Sequence, residues 1–315
     1  MSGRIEMDAK KEKWINEKLN KCPQILKDYM LSISETKTSS TRKAYLGYLM
    51  QFFEFINNSN VNYDKVKPMH IDRYRNLIIG NTNTKNGPDI VNAKLCAVIS
   101  FYNFLKENSI IEVNPCSNKQ KLKKSDKEEV VYMLDEEVDS LKEMIKKGAN
   151  RRSRKYCNRD LSIVALGCST GLRVSAIVNI DMDDIDLEKG EIKVTEKGNI
   201  RKTVLIGKNT IRAISQWIKD REELNTNNCP ALFISQKHGR MSTRAVEEMI
   251  KKETSWMSKR ITPHKMRSTC GMRLYEKKHD IYLVQQQLGH KNIRNTQIYA
   301  KASKAMMREA ADILD

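Results

Sequence analysis

Four residues able to hold or attack a phosphate, His264, Arg267, His290 and Tyr299, fall close together late in this 315-residue chain. Thr262 suits a helix N-cap and Pro263 the first helical turn, so His264 and Arg267 lie three apart on one helical face and can address one ligand. Asp280 is placed to cap a second helix with the apolar face Ile281, Val284 and Leu288. Gly289 is its expected stop, which delivers His290 just past the helix end. A third segment, 292–300, carries Tyr299. Upstream, Leu172-Arg173 opens a helix where an arginine opposes the macrodipole, a placement easiest to explain if an anion sits there too. Lys197 sits at the tip of a hairpin.

These groups suit phosphoryl transfer. The planar donors of two arginines can grip a phosphodiester bidentately while keeping their charge. A tyrosine hydroxyl, with a pKa of about 10, needs a base or a strong field, and a histidine can supply the first. A mobile lysine can protonate the leaving oxygen. No carboxylate cluster suited to magnesium accompanies them, so the coherent reading is transfer through a phosphotyrosine without metal or cofactor.

A chain of this length exceeds the roughly 250–300 residues at which single cores stop growing, which predicts two domains. Residues 1–20 form a basic extension, by default a frayed helix, otherwise an arm that orders on a partner. Residues 21–114 read as an all-α domain. Its helices bury Tyr45, Leu49, Phe52 and Ile56, then Ile71, Tyr74 and Ile78, then Val91, Leu95, Val98, Tyr102 and Leu105. At this spacing the aromatics, Phe101 and Phe104 included, are core and not base-stacking surfaces. Residues 115–130 are a polar linker whose Lys121, Lys123 and Lys124 are either phosphate contacts or a solvated tether. Residues 131–315 are the second domain, with a helix near 135–147, a basic run containing Arg151 and Arg152, and a hydrophobic helix capped by Asp160. After an acidic turn at 181–186, the alternating runs 191–195 and 201–206 around Gly198-Asn199 predict a β-hairpin. The fold class is therefore mainly α with a small β-hairpin.

Lys and Arg total 57 against 39 Asp and Glu, a formal charge of +18, which favours a polyanionic partner, nucleic acid before membrane. Seven scattered cysteines without metal or Cys-x-x-Cys spacing read as reduced thiols. No stretch approaches the roughly 18 apolar residues of a membrane span, and the charged start is no signal peptide, so a cytoplasmic protein is expected, nucleoid-associated when on DNA.

The motifs Thr170-Gly171-Leu172-Arg173-Val174-Ser175, Lys197-Gly198-Asn199, His264-Lys265-Met266-Arg267, Leu288-Gly289-His290 and Tyr299 occur in one order along the chain. In that order and rough spacing the sequence resembles the tyrosine recombinases, the phage-integrase and Xer-type family, over residues 20–305. The resemblance implies a two-domain DNA clamp, an N-terminal core-binding domain plus an α+β catalytic domain. It implies that Tyr299 attacks the scissile phosphate, leaving a 3′-phosphotyrosyl bond. Arg173, Arg267 and His290 would bind the phosphate, His264 would assist proton transfer, and Lys197, in preference to Lys202, would protonate the 5′-oxygen. Double-stranded DNA with short inverted repeats, a dimer on each site, a tetramer in synapsis through a Holliday junction, and accessory directionality or DNA-bending proteins follow as partners.

Ala176 stands where the family often has an acidic residue, which leaves open how Arg173 is buttressed. That departure, with the basic N-terminal extension, favours integration or excision of a mobile element or phage. Xer-like dimer resolution, a type IB-like topoisomerase and a catalytically silent DNA-binding regulator are the alternatives. The tail from 301 to 315 has apolar residues at helical spacing, read as a helix docking on a neighbouring protomer, with folding back on its own domain as the other possibility. Gly271, nearly on the face of His264, would let a DNA backbone or a packed helix come close.

Overall fold

The computed structural model describes residues 3–80, 87–117, 130–148, 154–195, 201–225, 227–290 and 292–302, with Asp312. Lys121, Lys123, Lys124, Arg151, Arg152 and Lys197 lie outside the described residues, as does most of the tail after Ala302. The chain divides into two compact units, Gly3–Lys127 and Glu128–Asp315.

The first unit is helical: α1 (Gly3–Leu19), α2 (Gln24–Ser32), α3 (Ser39–Asn58), α4 (Pro68–Gly80) and α5 (Pro88–Glu107). Apolar residues at helical spacing on α3, α4 and α5 meet in an aromatic core. Phe52 packs edge-on against Tyr74 and Tyr102 at 5.0 and 6.0 Å between ring centroids, and Tyr29 against Phe101 at 5.5 Å. Phe52, Phe101 and Tyr102 are fully buried, whereas Tyr45 and Phe104 only cover the cluster's edge. The expected fraying of the N-terminal segment is not what the structure shows, because α1 lies against α3. Ile15 is buried, Ser39 donates to Asp8 at 2.7 Å, Arg42 pairs with Glu12, and the Lys43 ammonium sits 4.7 Å from the Trp14 ring. Ile15, with Trp14 and Leu19 packed beside it, and these polar contacts dock a helix whose sequence is mostly polar and basic. The sequence reading also passed over α2, whose single stripe of Leu26, Tyr29 and Met30 is too short for a periodic signal.

The second unit comprises α6 (Asp135–Lys147), α7 (Cys157–Thr170), α8 (Val174–Val178), β1 (Ile185–Asp186), β2 (Glu191–Thr195), β3 (Arg201–Leu205), α9 (Lys208–Leu224), α10 (Thr243–Glu253), α11 (Pro263–Lys278), α12 (Ile281–Leu288) and α13 (Gln297–Ala302). At its centre α7 is covered by α6, α9 and α11, with Ile163, Val164 and Leu166 inaccessible to solvent. Asp160 does not cap this helix. It lies inside the first turn, buried, paired with Arg159 at 2.6 Å, while Arg159 also donates to the Ile234 carbonyl at 2.9 Å. A buried carboxylate needs a charged partner more than the helix needs a cap. The hairpin β2–β3 is antiparallel with Ile192 opposite Val204, both facing the core. The acidic segment contributes more than a turn, since β1 pairs with β2 to make a three-stranded sheet in the order β1-β2-β3. Buried Trp217 donates from Nε1 to the Leu232 carbonyl at 2.8 Å and so fastens α9 to the apolar Leu232-Phe233-Ile234 segment.

All seven cysteines are free thiols. Among the described residues no helix is long and apolar enough to cross a membrane.

Candidate active site

The site begins at the N-terminus of α11. Thr262 caps it, accepting from the Lys265 N–H at 3.4 Å, and Pro263 occupies the first turn. One turn into the helix the two predicted residues part in character. His264 is solvent-accessible beside a cavity of about 440 Å³ lined by Val174, Arg244, Arg260 and Thr262, whereas Arg267 is buried. Protein crowds the His264 ring enough that desolvation lowers its pKa, and the cations Lys265, Arg267 and Arg173 add to the lowering. These surroundings favour the neutral imidazole over the protonated one.

Arg267 spends its guanidinium on backbone. Nη1 donates to the Gly171 carbonyl at 2.5 Å and Nη2 to the Leu288 carbonyl. It is one of three donors from α11 and α12 that take three successive carbonyls at the end of α7. The Cys270 thiol donates to Ser169 at 3.4 Å, Gln287 Nε2 to Thr170 at 3.2 Å, and Arg267 to Gly171. The turn so held leads directly to Arg173, the N-cap of α8, whose own carbonyl accepts from the N–H groups of Ala176 and Ile177 at 2.8 and 3.1 Å. Ala176 itself is buried in the core. The methyl side chain fits among those core residues, so no carboxylate at 176 stands beside Arg173.

Gly171 adopts φ +65°, a left-handed conformation, and a Cβ there would lie 2.4 Å from Leu288 Cδ2 and 3.2 Å from Cys270 Sγ. Gly171→Ala is therefore expected to destabilise this unit by about 2–4 kcal/mol, combining left-handed strain with overpacking. A urea denaturation midpoint unchanged from the parent would contradict that reading of the turn.

Tyr299 comes from α13 and is 5% exposed. Its ring lies over Gly271 of α11: a Cβ at that glycine would stand 2.7 Å from Cζ, 2.9 Å from Cε2 and 3.0 Å from Cε1. The close approach anticipated at Gly271 is thus made by a packed helix, α13, through the ring of Tyr299. Burial raises the phenol pKa, opposed by the Arg267 charge and by a hydrogen bond with Ser268. His290 lies parallel to the Tyr299 ring, 8° between planes and 6.5 Å between centroids, and its Nδ1 is 3.0 Å from the hydroxyl of fully buried Thr296. The Asp280 cap on α12, accepting from Tyr282 and Leu283 N–H at 2.8 and 3.0 Å, and the left-handed Gly289 at its end place His290 as their residue types dictate.

Arg173, His264, Arg267, His290 and Tyr299 are thus gathered at one place in the second unit. Lys197 is outside the described residues; Lys202, on β3, pairs in register with Val194. Ser268, Gln287 and Thr296 were not anticipated. Ser268 follows Arg267 directly and lies one turn after His264, a signal available from helical periodicity. Gln287 acts across segments far apart in sequence and leaves no local mark, while Thr296 meets His290 six residues before it in a turn without periodicity.

Fold and site together are those of a helical unit that gathers two arginines, two histidines and a buried tyrosine. Its sequence matches the phage integrase family over residues 152–306. It is 30% identical to the tyrosine recombinase XerC of Caldanaerobacter subterraneus subsp. tengcongensis, over 93% of this chain and 87% of that protein. The fold is shared with the XerH site-specific recombinase bound to palindromic difH substrate, with a TM-score of 0.76 at 19% identity over 97% of this chain and 89% of that one. It is shared also with the Tn1549 transposon integrase in complex with a circular intermediate DNA, TM-score 0.68 at 19% identity, over 91% of this chain and 99% of that one. The chain belongs to the tyrosine recombinases of the phage integrase family, enzymes that cut and rejoin DNA at specific sites.

Proposed function

We propose that this protein recombines double-stranded DNA at short inverted-repeat sites, with Tyr299 as the nucleophile. The observation that carries the assignment is the phenol held beside Arg267, which is itself fastened to the turn that delivers Arg173. The Tyr299 oxygen attacks the scissile phosphorus and the bond to the 5′-oxygen breaks, leaving a 3′-phosphotyrosyl link and a free 5′-hydroxyl. Arg173 and Arg267 offset the charge that develops on the phosphate, and His290 donates to it. His264, whose surroundings favour the neutral imidazole, takes the phenolic proton. Lys197 returns a proton to the leaving oxygen. The phosphodiester energy is retained in the new covalent bond, so attack by a second 5′-hydroxyl reverses the step and exchanges strands. Four protomers acting in pairs would carry the exchange through a Holliday junction.

Integration or excision of a mobile element is the setting we favour, on the departure at Ala176 and the basic α1. Resolution of replicon dimers is the second reading, favoured by the XerC-named relative that aligns with nearly the whole chain. The chemistry common to both is tested with a nicked suicide substrate, from which the cleaved fragment diffuses away. A covalent protein–DNA complex is expected, with the phosphate mapped by mass spectrometry to the peptide containing Tyr299. Efficient relaxation of plasmid lacking any recombination site would instead mark a topoisomerase, and absence of any adduct a silent DNA-binding regulator.

A further inference from the structure

The assignment of Tyr299 leaves unexplained what fixes the position of its oxygen. Tyr299 stands on α13, a helix of six residues joined to α12 by a short irregular segment, which is a weak platform for an atom that must meet phosphorus in line. The rigid element against it is α11, sixteen residues long and packed on α7. On α11 the surface under the phenol is made by two residues three apart, hence on one face. Gly271 has no Cβ at the point where one would lie within 2.7–3.0 Å of Cζ and both Cε atoms, the hydroxyl-bearing end of the ring. Ser268, one turn closer to the helix start, is buried with its hydroxyl 3.3 Å from the His264 carbonyl, and it lowers the pKa of the phenol.

We propose that Ser268 and Gly271 form the seat of the nucleophile: Gly271 opens the volume that the ring fills, and Ser268 holds the hydroxyl at the N-terminal end of that volume. Both act through Tyr299, as positioning residues. The arrangement accounts for a glycine in mid-helix, where its flexibility otherwise costs stability. It also places the oxygen next to Arg267, so attack begins from beside the phosphate-binding guanidinium. The charged and titratable groups facing the phenol among the described residues are Arg267 and Cys270 from α11 and His290 from the segment after α12. Ser268 is the neutral member of the set and tunes the phenol without adding charge.

This inference rests on Tyr299 being the nucleophile, and its tests are chosen to fail separately from that reading. In full-length protein, Gly271→Ala is expected to slow adduct formation on the nicked substrate about 100-fold with DNA affinity unchanged, since an ångström of misplacement costs on that order. Thermal unfolding supplies a readout independent of activity. Gly271→Ala should lower Tm in the parent, where the new methyl meets the ring, and raise it in a Tyr299→Ala background, where the ring is gone and alanine is the better helix former. The same Tm change in both backgrounds, or a parent-like adduct rate, overturns the seat. Ser268→Ala should slow cleavage about tenfold and move its pH profile to higher pH, because the hydrogen bond that favours the phenolate is lost. A slower rate with an unmoved profile would overturn the role of Ser268. An adduct mapped to another residue would overturn the nucleophile while leaving the Tm comparison to decide whether the seat exists.

Discussion

Tyr299→Phe is expected to bind recombination-site DNA like the parent protein and to form no covalent complex, a loss of at least about 10⁴-fold in cleavage. The two halves of that result come from different atoms. The ring fills the space over Gly271 and lies parallel to His290, and phenylalanine preserves both contacts. Only the hydroxyl disappears, and Ser268 keeps the His264 carbonyl as a partner at 3.3 Å. Stability should therefore fall by no more than about 1 kcal/mol, the net worth of one hydrogen bond. A denaturation curve, a gel-shift titration and the nicked-substrate assay on the same preparation separate these effects. Retention of the adduct by the phenylalanine variant would show that another residue attacks.

Arg267→Ala should behave differently, losing both structure and chemistry. Arg267 is 3% exposed and donates to the carbonyls of Gly171 and Leu288, which belong to two elements distant in sequence. Truncation leaves two buried acceptors without their donor, at about 1–3 kcal/mol each, so destabilisation of about 2–6 kcal/mol is expected. It also removes a cation from beside the phenol; with Arg267 in the proposed phosphate-binding role, a further loss of about 10²–10³ in cleavage is the order expected of one transition-state donor. Lysine should not restore either property, because a single ammonium cannot reproduce a planar fork that spans two carbonyls. A variant that unfolds at the parent midpoint would show that the clamp contributes nothing to the fold.

The parts of the molecule legible from sequence are those set by local rules. Thr262 and Asp280 cap the helices they were expected to cap, and Gly289 ends α12 in the left-handed conformation that favours glycine. The alternation in 191–195 and 201–206 yields the expected antiparallel hairpin. Reading from local rules failed where a partner distant in sequence decides the outcome. Asp160 looks like a cap until Arg159 is seen folded against it in the core, and α1 looks loose until α3 supplies its contacts. Gly271 shows the same limit more sharply. Its small size signalled a close approach, but that the approaching group is Tyr299 itself depends on how α13 returns across α11.

The three successive carbonyls at the end of α7 have a consequence for how the protein is made. Ser169, Thr170 and Gly171 leave the ribosome long before Arg267, Cys270 and Gln287, the donors that hold them. While a chain is still being synthesised, the turn that aims Arg173 lacks those holds, and it acquires them only when the helices next to Tyr299 have been translated. The turn before Arg173 and the helices that carry Arg267, Cys270 and Gln287 are thus completed together, late in the folding of this unit.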